Sequence, residues 1–149
     1  MYNPFSLIGK TILVTGASSG IGRAIAIESS KMGANIILTG RNEERLQETM
    51  YMLDAGEHQY MVADITNEED MANLVEQLPT LTGCVHSAGI IGLTPIQAIT
   101  TTKINQFEQI NLHAPILLTK QLIKRKKLAK NSWLAQCSLK QNYSRLIFQ

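Results

Sequence analysis

Apolar residues along this 149-residue chain switch repeatedly between two periods. "TILVT" (Thr11 to Thr15) is a β-branched apolar run that ends at a glycine, which suits a strand buried on both faces. From Ile21 to Met32 the spacing turns helical: Ile21, Ala24, Ile25 and Ala26 form an apolar stripe, and Gly33 stops it as a C-terminal cap. "NIILT" (Asn35 to Thr39) predicts a second strand. "RNEERLQETMYML" predicts a second helix, with Asn42 as N-cap, acids in its first turn and Gly56 behind it. "HQYMVAD" predicts a third strand, "TNEEDMANLVEQL" a helix capped by Thr66 or Asn67 and halted by Pro79, and "GCVHSAG" a fourth strand. A long helical pattern from about Lys103 to Lys127 carries Pro115 in its middle. The missing N–H and the ring's clash with the preceding turn predict a kink or break there. "SWLAQCS" alternates weakly and is a candidate fifth strand.

Strands and helices alternating at this spacing imply right-handed βαβ units, hence a parallel sheet with helices on both faces. The expected class is α/β: one doubly wound sheet, incomplete, of about four to five strands. Hydrophobic residues at 44% and charged residues at 17% fit an ordinary globular domain. A net charge of +2 gives no case for nucleic acid. Six basic residues do crowd "KQLIKRKKLAK", but they end a helical pattern, where cations suit the helix dipole, and no aromatics interleave with them. Cys84 and Cys137 form no CxxC, and His58, His86 and His113 show no metal-ligand spacing, so no metal is expected. "MYNPFSLIGK" lacks a signal-peptide core and no run approaches a membrane span, so the expected setting is the cytoplasm with no membrane partner.

"VTGASSGIGRAIA" places Gly16, Gly20 and Gly22 between a buried strand and a helix. A backbone without side chains can turn sharply there and admit a diphosphate, while the free N–H groups of the helix start face its charge. Ser18 and Ser19 add hydroxyl donors, and Ile21 lies between the last two glycines. This makes the sheet Rossmann-like. The spacing is GxxxGxG rather than the GxGxxG of the general dinucleotide fingerprint.

"TGASSGIG", with the lead-in "LIGKTILVTG", resembles the cofactor signature of the short-chain dehydrogenase/reductase family, and the resemblance extends to about Lys127. It implies a dinucleotide-binding domain over 1–130, with 131–149 as an atypical tail holding the candidate fifth strand and an irregular end. After the second strand, where a carboxylate would hold the ribose of NAD, the chain has Gly40 and Arg41. A guanidinium fork matches phosphate, so NADP is favoured over NAD. Asp64, followed by Ile65, matches the family's aspartate that bonds the adenine amino group. "HSAG" stands where the family has Asn-Asn-Ala-Gly: Ser87, Ala88 and Gly89 are expected beside the cofactor, and His86 is expected to be structural. Asn111 matches the family's asparagine within the long helix, whose distortion positions a water in a proton relay.

The resemblance implies hydride transfer between nicotinamide and an alcohol or carbonyl compound, with a Tyr-x-x-x-Lys pair as the acid and a serine polarising the carbonyl. A tyrosine acts near neutrality only if a cation favours its phenolate, and a spacing of four sets the lysine on the same helix face. Tyr143 is followed four residues later by Ile147 and fails this requirement. Ser138 is the candidate for the serine. From about Asn131 the chain departs from the family pattern, so the expectation is truncation before the catalytic pair, leaving an apolar edge strand open. The alternative to an active oxidoreductase is therefore a catalytically inactive dinucleotide-binding fragment or module. The long helix often pairs across a dimer in the family, which leaves a homo-oligomer open.

Overall fold

The computed structural model describes residues 3–137. Five parallel strands make one sheet: β1 Thr11–Thr15, β2 Asn35–Gly40, β3 Gln59–Val62, β4 Leu81–His86 and β5 Leu128–Gln136. Their spatial order is β3-β2-β1-β4-β5, so the winding direction reverses between β1 and β4. Helices α1 (Gly20–Lys31), α2 (Glu43–Tyr51) and α3 (Glu68–Gln77) join the first four strands. A long helix follows, made of α4 (Thr101–Glu108), a π-helical segment at Gln109–His113 and α5 (Ala114–Lys124). The doubly wound parallel sheet expected from the alternation is present.

Side-chain alternation along β1 shows why helices must cover both faces. Ile12 and Val14 join Ile36, Leu38, Ala26 and Leu46 in a core under α1 and α2. Leu13 points the other way, into a core with Ile37, Leu74, Leu118 and Leu122 under α3 and α5. Each fully buried Leu or Ile here contributes about 1.5–3 kcal/mol relative to exposure. Asn42 caps α2 by accepting the Arg45 N–H at 2.9 Å. Asn67, rather than Thr66, caps α3, taking the Glu69 and Asp70 N–H groups at 2.9 and 3.0 Å.

Pro115 distorts the long helix upstream of itself, for a definite reason. In a regular helix its nitrogen would donate to the Asn111 carbonyl four residues back, and proline has no hydrogen to donate. The turn widens instead, and the Ala114 N–H bonds the Gln109 carbonyl in the five-residue reach of a π-helix.

β5 begins at Leu128, upstream of the "SWLAQCS" run, and so spans the 130/131 boundary expected between domain and tail. Leu81 pairs with Leu128 and Gly83 with Trp133, so β5 slips register against β4 between those pairs. The Trp133 ring lies over Gly83, where a Cβ would meet it at 2.5 Å. Trp133 and Leu134 are 39% and 45% exposed on this outer strand. Ser138 and Tyr143 lie outside the described residues.

Candidate functional site

Where the winding reverses, the loops leaving β1 and β4 part company and open a crevice beyond the carboxyl ends of the strands. Its volume is about 770 Å³. The β1–α1 turn contributes Gly16, Ser18, Ser19, Gly20, Ile21 and Gly22 to its wall. Arg41 comes from the end of β2, Asp64 and Ile65 from the end of β3, and Ser87, Ala88 and Gly89 from the end of β4. The residues read from the sequence as cofactor-binding are thus brought together along one trough.

Close approach explains the glycines. A Cβ on Gly16 would lie 2.7 Å from both the N and Cα of Ala88, and its φ of +64° is one that side-chain-bearing residues avoid. A Cβ on Gly22 would strike the Gly16 carbonyl, so the start of α1 seats directly on the turn. The Thr15 hydroxyl ties the two strand ends together, accepting the N–H groups of Ser87 and Ala88 at 3.1 and 3.0 Å. Among the described residues, no partner occupies the N–H groups of Ser18, Ser19, Gly20 and Ile21. Free donors at a helix start, facing an open trough, fit a diphosphate.

Charge divides the crevice. Arg41 and Arg45 stand at the β2 end with Asn42 between them, and among the described residues Asp64 is the one carboxylate in the wall. Burial pushes the Asp64 carboxyl up, but the Thr66 hydroxyl and N–H bonding its Oδ1 at 2.7 and 2.9 Å, with the charge of Arg41, outweigh this and hold it below its ordinary value. It is therefore an anionic acceptor near neutral pH.

Asn111 lies in the π-helical segment rather than in the crevice wall, to which its neighbour Ile110 belongs. Its amide bonds the backbone of Ile90 twice: Oδ1 accepts the Ile90 N–H and Nδ2 donates to the Ile90 carbonyl, both at 3.0 Å. This clamp occupies the space where a Cβ on Gly89 would fall. The backbone carbonyl of Asn111, deprived of its helical partner by Pro115, accepts from Gln136 Nε2 at 3.3 Å.

His86 is 5% exposed, and its Nε2 lies 3.0 Å from the Thr119 hydroxyl. Burial lowers its pKa below 6.5, while burial of the adjacent Cys84 thiol pushes that group up to about 12. Both are neutral at physiological pH. Among the described residues, no cluster of three metal-ligating side chains occurs.

Sequence reasoning did not place Thr39, Asn42, Arg45, Ala63, Ile110 or Cys137 in the site, yet all of them line the crevice. Arg45 had a legible signal: it is a second basic residue in the first turn of the helix that follows Arg41.

A family model described as short chain dehydrogenase matches residues 10–133. The 3-oxoacyl-(acyl-carrier-protein) reductase FabG of Rickettsia bellii is 38% identical over 119 residues, which is 80% of this chain and 49% of that protein. A 3beta-hydroxysteroid dehydrogenase of Mediterraneibacter gnavus is 39% identical over 89 residues, 56% of this chain and 32% of that one. Among solved structures, a dehydrogenase/reductase from Sinorhizobium meliloti 1021 superposes with a TM-score of 0.80 at 29% identity, covering 89% of this chain and 54% of that chain. The short chain dehydrogenase from Shigella flexneri gives 0.79 at 30% identity, covering 91% and 57%. The chain spans about half the length of the FabG reductases that it matches. Among the described residues, no helix is long and apolar enough to cross a membrane.

Proposed function

The chain belongs to the short-chain dehydrogenase family, and from that premise we propose that its crevice holds NADP and serves hydride exchange with an alcohol or carbonyl compound. When bound, the nicotinamide supplies or accepts the hydride. The carrying observation is the division of the trough: unpartnered N–H groups over the β1–α1 turn, and two guanidiniums at the β2 end where a 2′-phosphate would lie.

Each residue then has a physical task. The N–H groups of Ser19, Gly20 and Ile21 take the diphosphate at the positive pole of α1. Arg41 offers a charged fork to the 2′-phosphate, with Arg45 one turn further on. Asp64 accepts from the adenine amino group. The bare backbone of Ala88 and Gly89 lets the middle of the nucleotide lie against β4. The carbonyl of Asn111, which accepts one bond from Gln136 Nε2, keeps a second lone pair that can hold a water of a proton relay beside the Ile110 wall.

One observation favours a second reading: no Tyr-x-x-x-Lys occurs in the 149 residues. These residues on their own would then bind nucleotide without turnover, as a module. Calorimetric titration with NADPH and NADH, followed by a reduction assay against ketones and aldehydes, separates the readings. Tighter binding of NADPH with turnover supports the oxidoreductase, and binding without turnover supports the module. An absence of binding to both nucleotides refutes the crevice assignment.

A further inference from the structure

Two side chains outside the crevice hold the carbonyls of the glycine turn. Thr49, fully buried on α2, shares its one hydroxyl proton between the Ala17 carbonyl at 2.9 Å and the Arg45 carbonyl of its own helix at 3.0 Å. The same oxygen receives Arg23 Nε at 2.9 Å, and Arg23 Nη2 donates to the Ser18 carbonyl at 2.7 Å. Glu48 steadies the guanidinium from the solvent side at 3.0 Å. Neither Thr49 nor Arg23 lines the crevice.

Peptide planarity turns this into a statement about the ligand. In a trans peptide the C=O and the next N–H point in opposite directions, and no described bond is cis. Fixing the Ala17 carbonyl toward α2 points the Ser18 N–H the other way, and fixing the Ser18 carbonyl does the same for Ser19. Ser18 and Ser19 are the residues that face the crevice, and their N–H groups have no partner among the described residues. Ser18 Oγ lies beside Gly40, next to Arg41, so these donors sit at the phosphate-facing end of the trough.

We infer that Thr49 and Arg23 are positioning residues for nucleotide binding: they aim the Ser18 and Ser19 amides at a phosphate group by anchoring the opposite side of each peptide. The inference rests on reading the crevice as a dinucleotide site. It gives α2 a second part in phosphate binding beside that of Arg45, through a residue that does not itself line the crevice. A turn with unanchored carbonyls would flip its peptides and present oxygen lone pairs to the phosphate instead.

The test compares Thr49→Val, Thr49→Ser and Arg23→Met in the full chain, with calorimetric dissociation constants for NADPH and for adenosine. Valine keeps the shape and removes the hydroxyl, and serine restores it. Thr49→Val is expected to weaken NADPH about tenfold with adenosine changed less than about twofold, and Thr49→Ser to recover most of the loss. Arg23→Met, the safer variant if valine impairs folding, is expected to follow the same pattern. Unchanged NADPH affinity in both Thr49→Val and Arg23→Met overturns the inference, as does an equal loss for adenosine, which marks a merely structural effect. Failure of the unaltered chain to bind either ligand overturns the reading of the site itself.

Discussion

A single methyl group at Gly16 tests the geometry of the turn most directly. Gly16→Ala places a carbon 2.7 Å from two backbone atoms of Ala88 and 2.9 Å from the Ser87 carbonyl. Comfortable carbon contacts lie near 3.5–4.0 Å, so the ends of β1 and β4 must part by about 1 Å. The Thr15 hydroxyl, bonded to both Ser87 and Ala88, resists that movement. Overpacking of this kind costs about 1–3 kcal/mol, and a left-handed φ of +64° adds about 1–2 kcal/mol for a residue with a side chain. The sum, about 2–5 kcal/mol, corresponds to a fall in melting temperature of roughly 6–15 °C for a chain of this size. Gly20→Ala is the control: its φ of +55° carries the conformational cost, but nothing lies within 4 Å of the added carbon. It should lose only about 1–2 kcal/mol, or some 3–6 °C. Scanning calorimetry of both variants, with NADPH titration, measures the difference. If Gly16→Ala melts no lower than Gly20→Ala, the close approach of β1 and β4 is wrong.

Three further outcomes follow from the same structure. Arg41→Gln removes the fork at the β2 end, so NADPH affinity should fall at least about tenfold while NADH changes little, which calorimetry can check. Asn67→Ala strips two N–H groups of their acceptor at the start of α3 and should cost about 1 kcal/mol in urea unfolding. Burial holds the His86 imidazole below its ordinary 6.5, so the unfolded chain takes the proton more readily than the folded one. The stabilisation is complete above pH 6.5 and is lost as the pH falls below it, so melting curves of His86→Asn should show a shallower acid slope than those of the unaltered chain.

The turn "TGASSGIG" was legible because its close backbone contacts need missing side chains, and absence of a Cβ is written directly in the sequence. The strands of the buried centre were legible for a similar reason: an apolar run such as "NIILT" has no solvent-facing register to confuse it. Less could be read where a long-range partner decides the outcome. Nothing local to Asn111 says that its amide will clamp Ile90, twenty-one residues away, or that Gln136 will take up its carbonyl. Pro115 announced a distortion, but its place upstream follows from the donor that the proline withholds from residue 111. Thr49 reads in the sequence as an ordinary helix residue, and only the folded α1–α2 contact shows it holding Ala17.

The chain contains one tryptophan, and its indole rests on the bare backbone of Gly83 at the seam between β4 and β5. Its emission is therefore a built-in optical gauge of whether the outermost strand is seated. The colour and quenching of that light report the seam alone, distant in sequence from the glycine turn after β1.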